Sequence, residues 1–255
     1  MREITLAITH HNRYWFLLEC IDDVLHDERI REIVIVDDCS TDGSYEKLTA
    51  HFASNPKVKI FRNETNLDCY RNKREAIAKS TSDWVILFDS DNVITKAYLD
   101  ALYRIESWDP RVIYCPDFAQ PHFDYTAFAD RLIDRHQLRR IYDADPPIPP
   151  LSVRRRTIRV PPPANGSVRY GTLLNTCNYF VFRPGYLEVW DGSVDPHTAD
   201  TIYQAYNWLK SGRSVFVVPG LRYHHRIHEE SHYKKNKHLT GNFLFEVEQK
   251  LKALV

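Results

Sequence analysis

The stretch Trp84-Val85-Ile86-Leu87-Phe88-Asp89-Ser90-Asp91-Asn92 decides how this chain is read. Five largely apolar residues run directly into two acids one residue apart. The run is short, β-branched and aromatic, the signature of a strand buried on both faces. Asp89 and Asp91 then fall at its carboxyl end, where open α/β sheets place their ligands. Burying an unpaired carboxylate is costly, so something must neutralise these two. A divalent cation, itself held by phosphate oxygens, would do so, and hard oxygen ligands suit Mg²⁺ or Mn²⁺. The competing reading is a polar turn in which Asp89 caps the next helix. The rest of the chain decides between them.

Upstream, Ile4-Thr5-Leu6-Ala7-Ile8-Thr9 predicts a first strand that ends in the polar loop Thr9-His10-His11-Asn12-Arg13. Phe16, Leu17, Cys20, Ile21, Val24 and Leu25 form a helical stripe over 14–27. Ile33-Val34-Ile35-Val36 is a second buried strand running into Asp37-Asp38. Strand, helix and strand within about 35 residues make a βαβ unit, which implies a parallel pair. Ser40, Thr41 and Asp42 supply turn hydrogen bonds and an N-cap for a helix over 44–53. Asp37 and Asp38 either face a nucleotide, as the acid after the second strand does in dinucleotide folds, or form a solvated turn. His10 and His11 read as loop residues rather than metal ligands.

Val58-Lys59-Ile60-Phe61 predicts a third strand, followed after a polar run by a helix with Ala76, Ile77 and Ala78 inward. Arg71, Lys73 and Arg74 cluster in its first turns, where cations oppose the helix dipole. An anionic partner such as a pyrophosphate would relieve that conflict. Solvated surface cations are the alternative.

Four pieces now stand in order, each after a predicted strand. They are Thr9-x-x-Asn12, Val36-Asp37-Asp38-x-Ser40-x-Asp42-Gly43-Ser44, Asn66 with Arg71-Asn72, and Phe88-Asp89-Ser90-Asp91. In this arrangement residues 4–92 resemble the N-terminal half of a family 2 glycosyltransferase with the GT-A fold. The resemblance implies an inverting, nucleotide-sugar-dependent enzyme. It implies that Thr9, Asn12, Asp37, Asp38, Asn66, Arg71 and Asp89 bind the donor. It also implies that Asp89-Ser90-Asp91 is the metal motif, with Asp91 on a Mn²⁺ or Mg²⁺ ion. Two departures stand out: Asp68 where the family usually has Gly, and Tyr70 where it has a small residue. The loop over the donor is therefore expected to differ in shape.

Downstream, residues 95–106 predict a helix, Val112-Ile113-Tyr114-Cys115-Pro116 a strand, and 124–142 a further amphipathic helix. Seven of the fourteen Pro lie between 146 and 163, around the basic run Arg154-Arg155-Arg156. Such density favours extended, unpaired backbone, here an insertion over 145–163 on the acceptor side. Residues 172–183 read as a strand resembling the family's acceptor floor, with Arg183-Pro184-Gly185 as its turn. The family's catalytic Glu-Asp pair is represented by Ala199-Asp200, so Asp200 is the implied base and the Glu is missing. A helix ends at Gly212, and Val215–Pro219 is the last predicted strand. The family places a metal-ligating His just after it, a role that falls to His224 or His225 in Tyr223-His224-His225-Arg226-Ile227-His228. The polar tail 229–237 reads as a lid or a charged surface segment, and 239–254 as a closing helix.

The chain has 255 residues, with 34 basic and 34 acidic side chains, so no strong field points to nucleic acid or a membrane surface. Its length suits one α/β domain, 1–92 forming the nucleotide-sugar half and 93–255 the acceptor half. Five scattered Cys without a C-x-x-C pair read as reduced thiols. With no signal-peptide pattern and no apolar run near 20 residues, the expectation is a soluble cytoplasmic protein without a transmembrane segment. The resulting expectation is a mostly parallel, Rossmann-like sheet with helices on both faces. It would carry sugar from a nucleoside diphosphate sugar, UDP by family frequency, to a glycan or other hydroxyl acceptor. A sugar-phosphate nucleotidyltransferase is the first rival, although loop 9–13 lacks the Gly-rich pattern. A non-catalytic module of the same fold is the second.

Overall fold

In the computed structural model, residues 2–137 and 178–228 are described, with a few positions between 246 and 254. The strands are β1 (Ile4–His10), β2 (Ile30–Asp37), β3 (Val58–Arg62), β4 (Trp84–Asp89), β5 (Val112–Gln120), β6 (Phe123–Asp124), β7 (Arg131–Ile133), β8 (Phe180–Phe182) and β9 (Ser214–His224). The helices are α1 (Tyr14–Ile21), α2 (Ser44–His51), α3 (Asp68–Lys79), α4 (Lys96–Tyr103), α5 (Arg183–Val189) and α6 (Asp200–Lys210). One sheet runs in the order β3-β2-β1-β4-β8-β5-β9-β7, with β6 against β5. β1 pairs in parallel with both β2 and β4, β2 with β3, and β5 with β9. β8 is antiparallel to both β4 and β5.

Period-2 alternation sorts the strand residues into two cores. Leu6, Ile8, Ile33, Ile35, Ile86 and Phe88 pack against α1, α2 and α4 through Leu17, Leu48 and Leu99. Ala7, Val34, Val36, Val85 and Leu87 pack against α3, α5 and α6 through Ile77, Tyr186, Ile202 and Trp208. A fully buried aliphatic side chain contributes about 2 kcal/mol, so the sheet is held from both faces. The alternation also fixes the site: Thr9 and Asp89 continue the face that carries α3 and α6. They stand opposite each other at the carboxyl edge, in register between β1 and β4.

Three expectations are corrected. The helix predicted over 14–27 ends at Ile21. Residues 124–133 form β6, a 3₁₀ turn and β7 rather than part of a helix. There Leu132 and Ile133 pair with Phe216 and Val215 and cover the β9 edge, a tertiary demand that overrides helical periodicity. Arg183-Pro184-Gly185 opens α5 instead of a turn, because Pro is pre-set for a first helical turn. The insertion 145–163, the tail 229–237 and nearly all of 239–254 lie outside the described residues. Among the described residues no helix is long and apolar enough to cross a membrane.

Candidate active site

Loop 10–13 is shaped by the loop after β2. Asn12 and Arg13 both hold left-handed backbone, at φ 59° and 63°. Asn12 N–H donates to Ser40 Oγ at 2.7 Å, Arg13 N–H donates to Asp42 Oδ2 at 2.7 Å, and Asn12 Oδ1 accepts from Thr41 N–H at 2.9 Å. Two strained non-Gly residues in succession persist only where their surroundings over-determine them, as at functional sites. The result aims the Arg13 guanidinium at Asp91, with Nη1 3.9 Å from Oδ2.

Four elements meet at the edge of β4. Thr9 Oγ1 donates to Asp89 Oδ1 at 2.9 Å, and the Asp89 N–H donates to Asn178 Oδ1 at 2.7 Å. Lys73 of α3 is buried, its Nζ 2.6 Å from Asp200 Oδ2 and 3.4 Å from Asp89 Oδ1. Asp200 opens α6, where a carboxylate is favoured by the helix dipole. Asp38 Oδ1 accepts from Asn63 Nδ2 and Leu67 N–H, each at 2.8 Å. Burial nevertheless raises the Asp38 carboxyl above its ordinary value, against the pull of those two bonds. Asn66 Nδ2 donates to the Asp38 carbonyl at 3.3 Å.

Asp68, in place of the family's usual Gly, takes φ 63°, the left-handed region that glycine favours and Asp tolerates. Its Oδ1 accepts from Cys69 N–H at 2.8 Å. Tyr70 is buried, stacks on Trp190 at 5.4 Å and donates to Gln204 Oε1 at 3.2 Å.

The second cluster surrounds Asp91. His228 Nε2 lies 3.0 Å from Asp91 Oδ2 and 3.3 Å from Arg13 Nη1. Burial opposes ionisation of Asp91, but the hydrogen bond from His228 and the charges of His228 and Arg13 outweigh it. The carboxyl is held below its ordinary range. His225 faces the same acid, and burial pulls its imidazole below the usual value despite that charge. Tyr223 and His225 rings sit 6.3 Å apart on one face, so alternation turns His224 to the other, where it is exposed. His224 instead pairs through its backbone with Val93.

Thus Thr9, Asp89 and Asp200 converge on Lys73, Asp38 and Asn66 form a neighbouring cluster with Asn63 and Leu67, and Asp91 converges with Arg13, His225 and His228. Asp37, Arg71 and His224 do not join them. Asp37 Oδ1 accepts from Ser40 N–H at 2.9 Å on the opposite face of the sheet, and Arg71 is exposed. Arg13, Asn178 and His228 are the residues sequence reasoning missed, and Lys73, expected beside a pyrophosphate or in solvent, is instead buried against Asp200 and Asp89. Lys73 lies three and four residues before the inward Ala76 and Ile77, the one usable signal for its burial.

Among the described residues no three His, Cys, Asp or Glu side chains form a ready metal cage. The 3.0 Å between Asp91 Oδ2 and His228 Nε2 matches two adjacent ligands of one ion, for which bond lengths near 2.1 Å give about 3 Å. A carboxylate and an imidazole also suit Mn²⁺. The donor types of the pair suit such a cation, with the Arg13 guanidinium standing 3.3 Å from the same His228 nitrogen.

Residues 5–153 match the profile of glycosyl transferase family 2. The chain belongs to that family. It is 26% identical over 102 residues to glycosyltransferase GlyG of Streptococcus pneumoniae serotype 4, an alignment covering 40% of this chain and 34% of GlyG. Among solved structures it resembles S. aureus TarS 1-349 in complex with UDP-GlcNAc, at TM-score 0.65 and 14% identity. That match covers 98% of this chain and 66% of TarS 1-349. It also resembles the mannosyltransferase PcManGT from Pyrobaculum calidifontis in complex with GDP-Man and Mn²⁺, at TM-score 0.63 and 13% identity. Here 99% of this chain and 67% of that one are covered. The fold is of GT-A type. The chain spans about a third of GlyG and about two-thirds of each solved structure.

Proposed function

We propose that this chain transfers a sugar from a nucleoside diphosphate sugar to an acceptor hydroxyl, with inversion at the anomeric carbon. The observation that carries the reading is the meeting of Asp89, at the end of β4, with Asp200, at the start of α6, across one buried Lys73. A donor-side acid and an acceptor-side base are thereby within reach of one substrate. Thr9, Asn12, Asp38, Asn66 and Asp89 bind the base, ribose and sugar. Asp37 shapes the loop through Ser40 instead of touching the donor, and Arg71 stays at the surface.

Asp200 Oδ1 takes the acceptor's hydroxyl proton while Lys73 holds Oδ2. The acceptor oxygen then bonds the anomeric carbon as the bond from that carbon to the diphosphate breaks, and the nucleoside diphosphate leaves with the electron pair. One in-line displacement of this kind inverts the centre. Arg13 meets the charge gathering on the leaving diphosphate. Asp91, with His228 and His225, would hold a Mn²⁺ or Mg²⁺ ion whose Lewis acidity stabilises the same charge.

UDP is the nucleotide we assign, with a glycan or other hydroxyl as acceptor and no nucleic-acid partner. The whole chain acts as one domain, residues 1–92 serving the donor and 93–255 the acceptor. The free thiols of Cys20, Cys39 and Cys69 support a reducing, cytoplasmic setting. Calorimetric titration with UDP and GDP, each with and without Mn²⁺, tests the reading. Metal-dependent binding of one nucleotide, lost in Asp91→Ala, is expected. Failure of both nucleotides to bind, with or without Mn²⁺, would reduce the acids at the strand ends to structural groups.

A further inference from the structure

Lys73 is nearly inaccessible, on a helix whose buried face is otherwise built from Tyr70, Asn72, Ala76 and Ile77. A lysine in such a place needs a reason, because its ammonium loses solvent unless fully paired. Its nearest carboxylate, Asp200, is as buried as itself, at 5% side-chain exposure against 6%. Its second, Asp89, is in turn held by Thr9. One ammonium therefore ties β1, β4, α3 and α6 together where the proposed donor and acceptor sides meet.

The next contact between the two helices lies one turn away. Tyr70, three residues before Lys73, meets Tyr203, three residues after Asp200, with ring centroids 5.8 Å apart. Tyr70 also donates to Gln204 Oε1. The α3–α6 contact thus has an aromatic rung, Tyr70 on Tyr203, and an ionic rung, Lys73 on Asp200. Ala199, where the family's pair has Glu, is fully buried and offers no side chain to orient Asp200.

We propose that Lys73 is the positioning residue for the base: it fixes the Asp200 carboxylate in line with the donor held by Asp89, the task left open by Ala199. The inference rests on the transferase reading. A lysine is suited to it because its ammonium can serve two carboxylates from one point. Lys73 acts on the acceptor's proton only through Asp200, and on the donor only through Asp89.

Release of nucleoside diphosphate from UDP- and GDP-sugars, including slow hydrolysis to water, is measured for the full chain and for Lys73→Met, Lys73→Arg, Asp200→Asn and the Lys73→Met/Asp200→Asn double variant. Lys73→Met is expected to lower kcat roughly 10²-fold or more, in the range for a misplaced base, with the KM for donor within about threefold. Lys73→Arg recovers part of it. The double variant is no slower than Asp200→Asn, because residues that act as a unit lose activity non-additively. Fold-losses that multiply in the double variant, or a Lys73→Met that weakens donor binding with kcat intact, overturn the inference. A wild-type chain that releases nothing from either donor refutes the transferase reading itself. The pair is also read without turnover, from thermal unfolding of the same variants. Melting losses that simply add remove the Lys73–Asp200 coupling, and with it the inference, whatever the chain catalyses.

Discussion

His228 Nε2 stands 3.0 Å from Asp91 Oδ2 although 137 positions separate the two in the chain. An ionised carboxylate only accepts, so the imidazole donates. The segment that delivers His228 is itself held to α1: Arg226 pairs with Glu19 and lies over Phe16 at 4.9 Å, and the His228 ring packs on Phe16 at 5.7 Å. His228→Ala should weaken Mn²⁺-dependent nucleotide binding roughly 10–100-fold, the usual cost of losing a ligand or the group that orients one. His224→Ala, on the opposite face of the strand, should leave it unchanged. Calorimetry with and without Mn²⁺ reads both, and equal effects of the two variants would remove His228 from the site.

Asp200→Asn should lower turnover roughly 10²–10⁴-fold while nucleotide binding stays near wild type. Nucleoside diphosphate release against nucleotide titration separates the two. Unchanged turnover would take Asp200 out of the base role.

His10 gives the fold an acid limit. Burial lowers its imidazole from 6.5 to about 4, with Asp37 and Asp42 opposing the shift. The unfolded chain therefore takes up a proton first as pH falls. Stability tied to neutral His10 is full above about 6.5 and is lost progressively toward pH 4, by at most about 3 kcal/mol. His10→Asn should flatten that limb. Urea midpoints between pH 4 and 7.5 check it, and identical slopes for both proteins would contradict it.

Asp68 tests the shape of the donor loop. A β-branched Val at φ 63° should cost about 1–2 kcal/mol, whereas Asp68→Gly should stay within about 1 kcal/mol of wild type. Similar melting temperatures for both variants would mean that the loop relaxes out of the left-handed conformation.

Gly185 is a packing constraint behind the site. A Cβ there would lie 3.1 Å and 3.2 Å from the Trp208 ring, which is fully buried and anchored by Nε1 to the Ser214 carbonyl at 2.8 Å. Gly185→Ala should cost about 1–3 kcal/mol by overpacking. A melting temperature equal to wild type would show that α5 can shift away from α6.

Much of the first half was legible in the chain because its signals are local. Alternation and β-branching mark β1 to β4, and an acid directly after an apolar run must emerge at a strand's carboxyl end. Residues 124–133 were misread because their apolar spacing satisfies a helix equally well, and only the β9 edge decides against it. Asp37 and Asp38 look equivalent in sequence. The structure separates them: Asp37 ends β2, whereas Asp38, one residue past the strand, is held by Asn63 and Leu67.

By itself, then, the sequence determined the parallel α/β order of the first half and the acids at the ends of β2 and β4. These follow from periodicities of two and of about 3.6 residues, which a short window contains. Only the tertiary structure decided which cation reaches Asp200 and which imidazole reaches Asp91. Lys73 and Asp200 are 127 positions apart, and Arg71, Lys73 and Arg74 are alike in charge. What distinguishes them is the direction each takes from α3 once Tyr70 and Ile77 are buried, a property of packed helices that no local pattern carries.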